Sequence, residues 1–176
     1  MSQQRSLCRV RVLGAAVLAA PAVFLAGCVN EVKPKSEAID DVIVLGDRAA
    51  EELEGTGIGA VDFLDAVDEA CETDEDEPAM YRMVARYTVD IEPVASVSTM
   101  RTIRNHWVDE LGYQELDDGI YWGRSGYAVV RAGRGDVVYS ATRHPDHGTV
   151  TISVDSGCIE DPDPEDRFDP VAPAAS

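Results

Sequence analysis

The sequence is poor in the residues that catalysis and nucleic-acid binding draw on. It holds three histidines, an aromatic fraction of 6%, and 15 Lys plus Arg against 33 Asp plus Glu. A phosphate backbone is held by Lys and Arg that displace its counterions, so a net charge of −18 argues against nucleic acid as a partner. Ser96, Ser98, Ser125, Ser140, Ser153 and Ser156 stand in no Gly-x-Ser-x-Gly elbow, the turn that exposes a nucleophilic serine. Acid pairs are too numerous to single out the facing couple of a glycosidase. Two histidines fall in His144-Pro145-Asp146-His147, with His106 far from them in sequence. A loop containing proline does not impose the convergence a metal ion needs, so the segment reads as a polar hairpin turn. The acidic runs Asp74-Glu75-Asp76-Glu77 and 160–166 lack the glycine-centred, twelve-residue spacing of a calcium loop and read as solvated clusters. Arg134-Gly135-Asp136 matches an adhesion tripeptide, but a glycine-rich hairpin tip produces it by composition. No metal or cofactor is expected, and no catalytic residue.

No apolar run is long enough to span a bilayer either. The longest, 12–25, has fourteen residues, short of the roughly 20 that an untilted helix needs. It follows a basic segment with Arg5, Arg9 and Arg11, and no acid precedes Glu31. That order is the pattern of an export signal. Leu25-Ala26-Gly27-Cys28, placed directly after the run, resembles the bacterial lipobox. The resemblance implies that residues 1–27 are cleaved and that Cys28 carries a diacylglyceryl thioether. The mature chain would then sit on the extracytoplasmic face of the cell membrane, with membrane lipid as its first partner. Two acyl chains, at about 0.8 kcal/mol per buried methylene, hold far better than one.

Loss of residues 1–27 takes three of the 15 basic residues and none of the 33 acids, which leaves a net charge of −21. Such a body is repelled by anionic lipid headgroups and should stand off on its tether. Four cysteines reduce to two, because Cys8 leaves with the signal and Cys28 is alkylated. Cys71 and Cys158, left in an oxidising compartment, are expected to form a disulfide closing an 87-residue span.

What the sequence does contain is hydrophobic periodicity. Residues 28–35, interrupted by Pro34, read as a lipidated tether. Ser36 is a plausible N-cap for a helix over about 37–53, on Ile39, Val42, Ile43, Ala49, Ala50 and Leu53. Ala60, Phe63, Leu64, Val67, Ala70 and Cys71 repeat at three and four, which favours a short helix, with a strand as the alternative. Alternation over 81–91 predicts a strand. Val97, Met100, Ile103, Trp107 and Leu111 predict a helix over 95–111, ended by Gly112. Four short strands are expected near 113–116, 127–132, 137–143 and 149–155, joined by hairpin turns and so antiparallel. Residues 160–176, rich in proline and acid, are expected to be disordered. The sum is one α+β domain over 36–159, with a four- to five-stranded antiparallel sheet and two or three helices on one face.

A helix ending in His106-Trp107-Val108-Asp109-Glu110-Leu111-Gly112-Tyr113, followed by a strand meander closed by Ser156-Gly157-Cys158, resembles small actinobacterial lipoproteins of uncharacterised function. That resemblance implies a location and a fold, and attaches no activity. The functional expectation is a noncatalytic binding or interaction module acting on an unknown envelope protein or ligand, with a small envelope-associated hydrolase as the alternative. Tyr121 and Trp122 are the candidate binding residues. If the strand at 113–116 extends past Asp117-Asp118-Gly119 to include both, they point to opposite faces, which leaves one for solvent, and an exposed aromatic is the usual anchor of an interface.

Overall fold

The computed structural model describes residues 32–73, 78–91, 96–117, 119–123, 127–144, 148–165 and 168–173. The lipobox with Cys28, the acidic run 74–77 and His147 lie outside the described residues.

Helix α1, Lys35–Glu54, buries a stripe of Ala38, Ile39, Val42, Ala49, Ala50 and Leu53. The helix begins earlier than the Ser36 cap implied. Pro34 holds the N-cap position in an extended conformation, and its carbonyl accepts the N–H groups of Glu37 and Ala38. The expected tether is correspondingly shorter, because Val32 bridges Glu160 and the Tyr81 hydroxyl donates to the Lys33 carbonyl.

The segment after α1 corrects the favoured helical reading. It forms strand β1, Asp62–Ala70, antiparallel to β2, Met80–Asp90. A β-bulge between Phe63 and Asp65 explains the error. Phe63 lies opposite Tyr87 and Ala66 opposite Ala85, so two residues three apart share one face of the sheet. An extra residue in a strand thereby imitates a helical repeat.

Helix α2, Ser96–Arg104, continues directly into a π-helical turn, Asn105–Glu110, where the Leu111 N–H donates to the His106 carbonyl five residues back. Met100, Ile103 and Trp107 are fully buried along this continuous element. Gly112 then takes a φ of 68°, as its position predicted.

The remaining strands are β3, Gln114–Glu115; β4, Tyr121–Trp122; β5, Ala128–Arg134; β6, Val137–His144; β7, Thr149–Asp155; and β8, Ile159–Glu160. The sheet runs β1-β2-β7-β6-β5-β3, with β4 also on β5 and β8 also on β2, and every strand pair is antiparallel. Among the described residues eight strands replace the expected four or five. The additional ones are β1 and two-residue strands too short to leave a periodic trace.

Register fixes which residues share a face. Phe63, Tyr87, Ile152, Ala141 and Val130 lie in one row across the sheet. Both helices pack on this side: α1 on β1, β2 and β7, and α2 on β5 and β6. The next row, Asp62, Thr88, Thr151, Thr142, Val129 and Tyr121, faces the other way. On the covered side Gly46 of α1 lies directly over Tyr87, where an added Cβ would come within 2.5 Å of the ring and hydroxyl. The hydroxyl donates to the Asp47 carboxylate at 2.8 Å.

The tail departs from the expected disorder over its described residues. Val171 and Ala66 exchange backbone hydrogen bonds, so the tail lies along the free edge of β1. Phe168 and Val171 pack against the core. Lys35, itself buried, pairs with Asp161 at 3.2 Å and with Asp68 at 3.3 Å. Two apolar side chains and one charge-paired carboxylate hold a segment whose composition alone suggested none of this. The Cys71–Cys158 disulfide closes the same corner, as expected.

Candidate functional site

Tyr121 and Trp122 are both exposed, at 62% and 44%. The pleat sends them to opposite sides of β4, as their adjacency predicted, yet neither is covered. β4 is two residues long and lies at the outer edge of the sheet, beyond β5. Edge position, rather than alternation, therefore decides their exposure.

Between them they border a hollow of about 580 Å³ lined also by Asp117, Gly119, Ile120, Tyr127 and Val129. Three features of local chemistry build it. Gly119, at a φ of 84°, turns the chain, and its N–H donates to the Asp117 carbonyl. Antiparallel pairing sets Tyr121 beside Val129, and Trp122 beside Ala128. The Gly123 N–H donates to the Tyr127 carbonyl at 2.7 Å, which brings the third aromatic next to the first two. A Cβ on Gly123 would come within 3.1 Å of the Tyr127 ring, so the bare glycine permits that approach. Tyr127, 39% exposed, meets the His144 ring edge-on at 6.2 Å between centroids. Asp117, which composition did not single out, contributes an exposed carboxylate to the same hollow. Its signal was available only as nearness in sequence to Tyr121.

The other sequence candidates do not converge. His106 lies in the π turn, where Nδ1 faces Glu110 Oε2 at 2.7 Å, while Nε2 is buried with no hydrogen-bond partner among the described residues. His144 lies at the end of β6, beside Tyr127. Among the described residues no group of three or more His, Cys, Asp or Glu gathers as a metal ion would require. Ser140 and Ser153 face one another across β6 and β7. The Ser156 hydroxyl donates to the Gly157 carbonyl and accepts the Met83 N–H, a turn-building role. Arg134 of the adhesion-like tripeptide lies over the Tyr113 ring at 5.7 Å. Among the described residues no helix is long and apolar enough to cross a membrane.

Three buried groups hold their protons more tightly than they would in water. Burial, helped by the neighbouring Tyr113, pushes the Tyr139 phenol up to about 12. Burial and the hydrogen bond to Asp47 push Tyr87 higher still. Burial alone would lower the Lys35 ammonium, but its hydrogen bonds to Asp161 and Asp68 outweigh this and raise it. None of these groups lies in the aromatic hollow, whose chemistry is apolar surface with one carboxylate.

Comparison with known proteins finds no match: no family model, no curated protein and no solved structure is similar to this chain at a significant level. The reading of function therefore rests on the site's own geometry.

Proposed function

We propose that this chain is a lipid-anchored, extracytoplasmic binding module, held to the cell membrane through a diacylglyceryl group on Cys28 and meeting an envelope protein at the surface around Tyr121, Trp122 and Tyr127. One observation carries the binding reading. Three large aromatics are exposed side by side around one open hollow, where burial against a partner would recover apolar surface that folding leaves in water. Aromatic side chains at the centre of a contact typically carry about 2 kcal/mol or more each. The lipid reading is supported by the order of basic segment, apolar run and Leu25-Ala26-Gly27-Cys28.

The test is crosslinking in intact cells, followed by mass spectrometry of what co-purifies. Tyr121→Ala and Trp122→Ala should each weaken capture of the crosslinked partner about tenfold while leaving the melting temperature near wild type. Unchanged capture in both variants overturns the binding surface. Separately, Cys28→Ala should release the protein from the membrane fraction or leave the precursor uncleaved. Normal processing and retention overturn the anchor.

A further inference from the structure

We propose that the aromatic hollow receives the cationic side chains of a basic protein segment, an inference that rests on the binding reading above and names its ligand chemistry. The faces of Tyr and Trp rings attract a Lys ammonium or Arg guanidinium through the ring quadrupole, with indole the strongest. Tyr121, Trp122 and Tyr127 supply three such rings around one opening, and Asp117 supplies a counter-charge beside them. Asp109 and Glu115 are paired with Arg104, and Glu110 with His106, so Asp117 is the carboxylate that the hollow itself presents. The whole chain carries −18, so a basic partner is steered toward it and an acidic one repelled.

A basic protein segment, unlike a zwitterionic lipid headgroup, carries a net positive charge that the acidic chain draws toward itself. The described chain begins at Val32, which bridges Glu160 next to the Tyr81 end of β2. The register Trp122, Ala128, Arg143, Val150, Val89 puts the hollow level with the opposite end of β2. Eight residues along a strand are about 27 Å, and the four strand steps from β2 to β4 add about 19 Å sideways. The hollow is therefore at the far corner of the sheet from the point where the chain leads back to Cys28.

The experiment uses the full chain purified in a nonionic maltoside detergent. Of the two tryptophans, Trp107 is buried and Trp122 exposed, so a ligand-dependent change in fluorescence reports from the hollow, and Trp122→Phe should abolish it. The probes are a glycine-spaced peptide bearing three lysines, the same peptide with norleucine at those positions, and phosphatidylcholine vesicles. The lysine peptide should bind at least tenfold more tightly than the norleucine peptide and weaken as salt rises. Asp117→Asn, which keeps the shape and removes the charge, should weaken it about threefold to tenfold with the melting temperature unchanged. Equal binding of the two peptides, an Asp117→Asn variant that binds like wild type, or a Trp122 response to vesicles but not to the lysine peptide overturns the assignment. Loss of partner capture in cells by Trp122→Ala together with no preference for lysine overturns the cationic chemistry and leaves the binding reading standing. Capture that survives both aromatic substitutions overturns the binding reading itself.

Discussion

The two faces of the sheet are built from the same strands and behave as different materials. Along β2, Tyr81, Met83, Ala85, Tyr87 and Val89 are almost wholly buried beneath the helices, while on the other side Arg82, Arg86 and Thr88 are half-buried and Val84 is buried among them. On the open side charges are matched rather than removed. Arg86 meets Asp65 through two hydrogen bonds of 2.6 Å, and Arg82 reaches Glu69 and Asp155. Farther across, at β6 and β7, Ser and Thr take over, and at the β4 edge the aromatics appear. A face with water on it tolerates ion pairs that contribute little each. A face under helices tolerates no unfilled space, because buried side chains pack at crystal-like density. Stability is therefore concentrated on the covered face, while the exposed aromatics gather at the β4 edge, Tyr121 on the open side and Trp122 in the row of Ala128 and Val150.

The largest expected effect tests that division at the centre of the covered side. Trp107→Ala removes the largest fully buried side chain and its contact with Tyr139, and should cost about 3–5 kcal/mol in denaturant unfolding. Thr142→Ala, in the open row, should cost below about 1 kcal/mol. Comparable losses would show that the two faces do not differ as described.

Opening the Cys71–Cys158 bridge should cost about 4 kcal/mol, since an 87-residue span is released in the unfolded chain. Non-reducing peptide mapping checks the pairing, and melting with and without reductant checks the cost. Free thiols at both positions in the folded protein would contradict the bridge.

The covered face should also give way first in alkali. Tyr139 binds its proton more tightly folded, at about 12, than unfolded, at about 10, so between those values the unfolded state holds fewer protons and stability falls with rising pH. Two pH units correspond to roughly 3 kcal/mol from this group. Tyr87 and Lys35 are raised as well, so they contribute stability that is complete below about 10 and lost above it. Urea midpoints measured from pH 9 to 12 should decline, and Tyr139→Phe should flatten the slope. A flat profile in wild type would refute the sign.

Gly46→Ala sharpens the comparison through its sign. Alanine in an exposed helix interior stabilises by about 0.5–1 kcal/mol relative to glycine. Here the methyl group would enter the Tyr87 ring, so a loss of about 2 kcal/mol is expected in thermal unfolding. A gain would mean that α1 does not sit so close over β2. The smallest effect belongs to the recognition side: Tyr121→Ala should shift stability by less than about 0.5 kcal/mol, because its side chain is 62% exposed.

Much of this architecture was legible in the sequence, and the parts that were not share one physical cause. Period-two and period-3.6 patterns reflect which side of an element is buried, so β2, α1, α2 and the strands β5, β6 and β7 could be read from single segments. The Cys71–Cys158 pairing followed from the expectation that Cys8 and Cys28 are withdrawn from the thiol count. The candidate aromatics Tyr121 and Trp122 followed from adjacency in a short strand. By contrast, the bulge that made β1 look helical exists only because β2 arrives beside it in a particular register. The π turn at Asn105–Glu110 inserts a residue into an otherwise regular helical pattern. The tail from 160 is held by Ala66 and Lys35, residues far away in the chain. Asp117 and Tyr127 join the aromatic pair because strand pairing and a glycine turn bring them there. The sequence by itself determined which faces must be buried, since hydrophobicity is a property of residues. Only the tertiary structure decided bulges, edges and the membership of the hollow, since these are set by whichever distant strand a segment meets.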